Sequence, residues 1–258
     1  HSVFLTVEKK SKLNPLHPVY LFLEKRYFQK AKRIIANSNM IKQQIISTYN
    51  IDTSKIRVIY NGVKSKKIDY QESFDKLSIE FSISKDQPLL LYVGSGFKRK
   101  GVEEFLQIVA NLKDSNVKAF VIGKEKKIKK YQDLVKKLNI ESQVVFTGPR
   151  EDVDDFYTIG DIFLFPTHYE PFSNVVLEAM NFKNVVFTTQ QNGASEILDR
   201  EFIMNNSQDF SVVHKIDSLL LNKDRLKSIQ NNNREISKKF SIEKNLSETL
   251  KVINEVIN

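Results

Sequence analysis

Leu89-Leu90-Leu91-Tyr92-Val93-Gly94-Ser95-Gly96-Phe97-Lys98-Arg99-Lys100-Gly101-Val102-Glu103-Glu104-Phe105-Leu106 is the stretch whose reading decides the fold. Five apolar residues in a row read as a strand buried on both faces, since a strand with one wet face would alternate. Glycines end the run. Val102, Phe105, Leu106, Val109 and Leu112 then recur at the i, i+3, i+4, i+7 spacing that gives a helix one apolar face. Buried strand, glycine turn and amphipathic helix make the first half of a parallel strand–helix–strand unit.

The pattern repeats outward. Residues 117–122, 144–146, 162–165 and 185–188 read as further strands, with helices near 128–138, 152–159 and 174–182. The expected fold is α/β, a doubly wound, Rossmann-like parallel sheet whose ligands bind where loops gather at the carboxyl ends of the strands. Residues 1–60 differ. They read as a helix rich in aromatics and cations over 20–36, a second over 39–49 and a strand at 57–60, too little for a second complete sheet. From Ser207 onward the sequence reads as polar helices, ending in an amphipathic one over 242–257.

Composition narrows the class. With 41% hydrophobic and 28% charged residues among 258, the chain is neither disordered nor fibrous. The absence of cysteine excludes disulfides, thiolate metal sites and a cysteine nucleophile. No apolar run approaches the roughly 18–20 residues that span a bilayer, and His1-Ser2-Val3-Phe4-Leu5 is not a signal peptide. The net charge of +9 favours anionic partners: a phosphorylated ligand, an acidic membrane surface or nucleic acid. The first methionine is Met40, which is compatible with a fragment of a longer chain.

Two segments carry the chemistry. The turn Gly94–Gly101 is neither a dinucleotide fingerprint, which needs glycine where Arg99 stands, nor a P-loop, which needs Lys and Ser or Thr after Gly101. Its glycines still permit close backbone approach at a helix start, and Arg99 and Lys100 add full charges for a phosphate. An ordinary strand-to-helix turn with solvated cations is the alternative. The second segment, Phe165-Pro166-Thr167-His168-Tyr169-Glu170-Pro171-Phe172-Ser173-Asn174-Val175-Val176-Leu177-Glu178-Ala179-Met180, sets two carboxylates eight positions apart. Helical side chains lean toward the N-terminus, so Glu178 can face the same mouth as Glu170 and accept hydrogen bonds from vicinal hydroxyls. The amides of Phe172, Ser173, Asn174 and Val175 would point at an anion. The alternative is a surface glutamate favoured by the helix dipole.

The Glu-x7-Glu pattern, with Pro-Phe after the first Glu and Leu-Glu-Ala-Met around the second, resembles the signature of retaining glycosyltransferases of family 4 (glycosyltransferase group 1), which have the GT-B fold. Ile35-Ala36-Asn37-Ser38, Val58-Ile59-Tyr60-Asn61-Gly62-Val63, Tyr92-Val93-Gly94, Lys100-Gly101 and Gly193-Ala194-Ser195-Glu196 agree in order. The form at 94–101 is particularly similar to the lipopolysaccharide core glucosyltransferase I subfamily. The resemblance implies that Arg99 and Lys100 hold the diphosphate of a nucleotide-sugar donor, with UDP-glucose as the guess. It implies that Glu178 binds the ribose, that Glu170 contacts the donor sugar as the catalytic residue, and that Arg150 and Gly148 lie beside the base. Ser95 stands where many members carry a phosphate-binding arginine, and Ser173 replaces a common glycine. It further implies transfer of a hexose to a cell-surface glycan or glycolipid from the cytoplasmic side, with no cofactor and no required metal.

On the same resemblance, residues 1–60 are the closing portion of an N-terminal acceptor domain and hinge, 61–240 the nucleotide-sugar-binding domain and 241–258 a cross-over helix. The rest of the acceptor domain would lie in a missing N-terminal part or a separate subunit. A non-catalytic donor-binding half needing such a partner is therefore the alternative function, and a sugar-nucleotide epimerase is a further one. Nucleic-acid binding has only the charge in its favour, with no recognised motif. His168 precedes Glu170 closely but reads as a structural or solvated loop histidine. Seven lysines between Lys124 and Lys137 read as a solvated helix face; the sharper reading is peripheral contact with an anionic membrane.

Overall fold

The computed structural model describes residues 17–67 and 69–257, so the opening stretch read above as lacking a signal peptide lies outside the described residues. The chain divides into two units, His1–Gly62 with Phe240–Asn258, and Val63–Lys239.

The first unit contains α1 (His17–Lys30), β1 (Ile34–Ala36), α2 (Asn39–Tyr49) and β2 (Ile56–Val58), with β1 and β2 parallel and Ile35 opposite Arg57. The helix expected over 20–36 therefore ends early. Ile34 and Ala36 are buried and Ile35 is exposed, a period of two that the β-branched pair satisfies better as strand than as helix. Ser38 caps α2 by accepting from the amide of Ile41 at 3.2 Å. Ile34, Ala36, Ile45, Tyr49, Ile51 and Ile56 form this unit's core.

The second unit begins with α3 (Tyr70–Phe81), a helix for which the sequence reading has no counterpart. It continues through β3 (Leu89–Val93), α4 (Val102–Ala110), β4 (Lys118–Ile122), α5 (Ile128–Lys137), β5 (Val144–Gly148), α6 (Val153–Ile159) and β6 (Ile162–Phe165). It ends with α7 (Asn174–Asn181), β7 (Val185–Thr189), β8 (Ile203–Met204), α8 (Val212–Leu221) and α9 (Lys223–Lys238). One parallel sheet results, in the order β5-β4-β3-β6-β7-β8. The α/β, Rossmann-like expectation holds. β3, β4, β6 and β7 bury nearly every residue, which is why their sequences run apolar without alternation.

The chain moves outward from β3 to β5, then returns to the other side of β3 and moves outward again from β6 to β8. β3 and β6 are thus the pair at which the winding reverses, and in sheets of this kind ligands bind in the crevice beyond the carboxyl ends of such a pair. The glycine turn follows β3 and the paired-glutamate segment follows β6, so the topology sends both motifs to one place.

The closing helix α10 (Ile242–Ile257) belongs to the first unit. Asn245 donates to the carbonyl of Tyr60 at 2.7 Å, Lys32 to that of Val256 at 3.0 Å, and Arg33 Nε to Glu255 at 3.1 Å. Val252 is buried there, while Ile242, Leu246, Leu250, Ile253 and Ile257 are exposed.

Candidate functional site

Gly101 explains why the turn after β3 can touch the loop after β6. Its φ is +78°, and a Cβ there would lie 1.9 Å from the carbonyl oxygen of Pro166, so only glycine lets the two backbones meet. Hydrogen bonds then lock them. The carbonyl of Arg99 accepts from the amide of His168 at 3.0 Å and from Thr167 Oγ1 at 3.2 Å. Arg99 Nη1 in turn donates to the carbonyl of Tyr169 at 2.7 Å and to Glu170 Oε2 at 2.8 Å. Lys100 Nζ lies 3.9 Å from the same carboxylate oxygen and 5.6 Å from the centre of the Phe165 ring. Burial pushes the Lys100 ammonium below its ordinary value, with Glu170 pulling it back and Arg99 adding to the fall. Three of the residues singled out in the sequence thus meet in one partly buried cluster.

The main chain of Glu170 is fixed from the β7 side. Its amide donates to Gln191 O at 3.0 Å, and its carbonyl accepts from Gly193 N at 2.9 Å. Asn192, fully buried, accepts from the amides of Ser173 at 3.2 Å and Ala194 at 3.1 Å and donates to Thr188 Oγ1 at 3.0 Å. Asn192 escaped the sequence reading although it stands just before Gly193-Ala194, where asparagine is a common helix cap. It holds the start of α7 against the end of β7. Ser173 is the cap residue of α7 and makes no side-chain cap bond, and its amide, expected from the sequence to face an anion with those of Phe172, Asn174 and Val175, is instead given to Asn192 Oδ1.

Glu178 projects from α7 toward α6, where Tyr157 Oη donates to its Oε2 at 3.3 Å. Burial raises the Glu178 carboxyl above its ordinary value, Asp154 adds to the rise, and Tyr157 and Lys66 oppose it. A carboxylate held partly out of water by one phenol retains acceptor capacity for hydroxyls.

Gly148 ends β5 at φ +72°. Beyond it, Arg150 turns to α3: Nη1 and Nη2 donate to the two oxygens of Glu80 at 2.6 and 2.9 Å, and Nε and Nη2 to Asp152 at 2.8 Å each. Phe81 and Phe156 lie against its guanidinium. A nucleobase would have to compete with two carboxylates for this side chain. Among the described residues, no three His, Asp or Glu side chains gather as a metal site requires.

A family model described as "Glycosyl transferases group 1" matches residues 73–236, more than half the chain, and one described as "Glycosyltransferase Family 4" matches residues 1–67. The chain belongs to the glycosyl transferases group 1 family. It is 31% identical over 238 residues to the capsular polysaccharide biosynthesis glycosyltransferase CapM of Staphylococcus aureus, covering 86% of this chain and 61% of that protein. It is 38% identical over 110 residues to the lipopolysaccharide glucosyltransferase WaaG of Escherichia coli, covering 42% of this chain and 29% of that protein. The chain spans about three fifths of the length of CapM, and 59% of an uncharacterized glycosyltransferase of Methanocaldococcus jannaschii.

Solved structures agree on the fold. A glycosyltransferase from Rickettsia africae superposes with a TM-score of 0.81 at 23% identity, covering 91% of this chain and 67% of that one. The Anabaena protein Alr3699/HepE, solved in complex with UDP and glucose, gives 0.80 at 19%, covering 92% and 67%. The larger unit of this family member thus has the Rossmann-like fold of the C-terminal domain in GT-B glycosyltransferase structures.

Proposed function

We propose that the crevice at the β3/β6 reversal binds a nucleotide diphosphate sugar and that the chain is the donor-binding part of a retaining glycosyltransferase. The observation that carries this is the Arg99–Lys100–Glu170 cluster, in which Arg99 hydrogen-bonds the Glu170 carboxylate across the reversal and Lys100 lies 3.9 Å from the same oxygen. In the ligand-free chain Glu170 partners both cations. A donor diphosphate would take over that pairing through charge-assisted bonds, leaving the Glu170 carboxylate to accept from hydroxyls of the sugar. As the glycosidic bond breaks, charge would grow on the departing diphosphate, and Arg99 and Lys100 would neutralise it. Glu178 would hold the ribose hydroxyls, the α7 start would add main-chain donors, and Gly148 with Arg150 would flank the base.

Uridine is the favoured base because a structural neighbour holds UDP, and glucose the favoured sugar because both that neighbour and the WaaG relative are linked to it by description. The acceptor class that fits these relatives is a cell-surface glycan or glycolipid. An anionic membrane contact through the lysines of α5 would keep the chain near a lipid-borne acceptor. Transfer is proposed to proceed without a metal.

Calorimetric titration with uridine, guanosine and adenosine diphosphate sugars tests the donor reading, with Glu178→Ala as control. Binding does not depend on knowing the acceptor. A selective response that disappears in Glu178→Ala is expected; a folded wild-type chain indifferent to every donor would contradict the reading.

A further inference from the structure

The side chain of His168 joins three segments of the larger unit. Its Nε2 lies 3.0 Å from Oε1 of Glu104, in the first turn of α4, and its Nδ1 lies 3.1 Å from Oγ of Ser207, in the loop before α8. Glu104 and Ser207 are both buried, whereas 45% of the imidazole side chain is exposed. A buried carboxylate is costly to leave without a partner, so Glu104 constrains where the ring sits. The main chain of the same residue donates to Arg99 O, and Thr167 before it donates to that oxygen as well. Two residues later, Glu170 receives the Arg99 guanidinium. The ring therefore anchors a residue whose amide ties the β6–α7 loop to the glycine turn.

We propose that His168 is a positioning residue: clamped between Glu104 and Ser207, it holds the β6–α7 loop against the glycine turn so that Arg99 and Glu170 stay aligned for the donor. The proposal rests on the donor-site reading and adds a residue to it that touches neither phosphate nor sugar.

The clamp has two strengths. In the neutral ring with its proton on Nε2, that nitrogen donates to Glu104 and Nδ1 accepts from the Ser207 hydroxyl. In the protonated ring both nitrogens donate and the Glu104 contact becomes an ion pair. The hydrogen bond to Glu104 raises the imidazole above its ordinary 6.5 against the cost of burial; Glu103 on the same helix adds to the rise and Lys98 on the glycine turn opposes it. Ser207, on the third segment, carries no charge. The ionic form thus gives stability that is fully present below 6.5 and is lost as pH rises through the raised value.

The full chain is titrated with UDP-glucose, whose diphosphate diester does not itself change charge over the histidine range, at about pH 6 and about pH 8. Wild type, His168→Gln and Glu104→Gln are compared, and amide hydrogen exchange of residues 94–101 and 166–173 is followed in each without ligand. The expected result is wild-type affinity about two- to fivefold weaker at the higher pH, the range of a partly exposed ion pair. Both variants should be weaker at the lower pH and nearly flat between the two, with exchange accelerated in both segments together. A pH profile shared by wild type and His168→Gln, with exchange unchanged in either segment, would overturn the proposal. If wild type binds no UDP-glucose at either pH, the choice of UDP-glucose fails, and the wider donor panel decides the donor reading. The exchange comparison alone then decides whether His168 holds the loops.

Discussion

Arg99 stands between two acceptors, the Tyr169 carbonyl and the Glu170 carboxylate, and its worth to a donor lies in being held there before the donor arrives. Replacing it with alanine should weaken nucleotide-sugar binding by about tenfold or more, since a charge-assisted hydrogen bond contributes roughly 1.5–3 kcal/mol. Arg99→Lys should recover only part, because an ammonium lacks the planar fork. Calorimetry at one fixed salt concentration reads both.

Asp161 makes a separate prediction, far from the crevice. Burial lifts its carboxyl from 3.8 to about 6, although the Leu89 amide at 2.9 Å and Lys223 oppose the shift. The folded chain therefore holds this proton more tightly than the unfolded chain. Its contribution is favourable below 3.8 and is lost as pH rises to about 6. Asp161→Asn should accordingly raise stability at neutral pH by on the order of 1–2 kcal/mol and flatten the pH dependence across that window. Urea melts at several pH values check it; a variant less stable than wild type at neutral pH would show that the Leu89 bond to the charged carboxylate outweighs its burial. At this scale Arg99, Lys100 and Glu170 were legible from their motifs. Their meeting was implied by the family resemblance alone, because spacing does not give strand order across a gap of 71 residues. Asn192 offered only a cap signal before Gly193-Ala194, Glu104 and Ser207 offered none, and what these side chains hold together exists only once the loops converge.

Among the elements, the junction of the glycine turn with the β6–α7 loop is where backbone geometry is tightest. Gly101→Ala would place a Cβ against the Pro166 carbonyl at positive φ, so it should cost about 1–3 kcal/mol or more and spread the loops. Thermal melts and a donor titration on the same sample would register the two effects. Arg150 links α3 to the β5–α6 loop, and removing its guanidinium should lower stability by about 1 kcal/mol or more, as for an ion-pair network with aromatic packing. If Arg150→Ala also erases discrimination among bases, the side chain leaves its carboxylates for the base; if discrimination survives, main chain near Gly148 supplies it.

The strands buried on both faces were readable because they are unbroken apolar runs, and Leu89–Val93 and Ile162–Phe165 fall where the sequence placed them. The end of α1 was not readable. Aromatics and cations continue to Arg33 with nothing to stop a helix, and the switch to strand depends on pairing with Ile56–Val58, 22 residues on. The two-residue β8 is too short to leave a pattern.

Over the whole molecule, the charge of +9 gathers in part along α5, whose Tyr131 and Val135 face inward while several lysines face out. Sedimentation of the full chain with anionic vesicles should be measurable at low salt and fall away once ionic strength exceeds about 0.15 M, where the Debye length is about 8 Å. Neutral vesicles should not carry it. Donor binding in the crevice at the β3/β6 reversal is read by hydrogen exchange with and without saturating UDP-glucose. New protection is expected in residues 94–101 and 166–178 together, lost in Glu178→Ala. Protection confined to other parts of the chain, under conditions where binding is saturated, would contradict it.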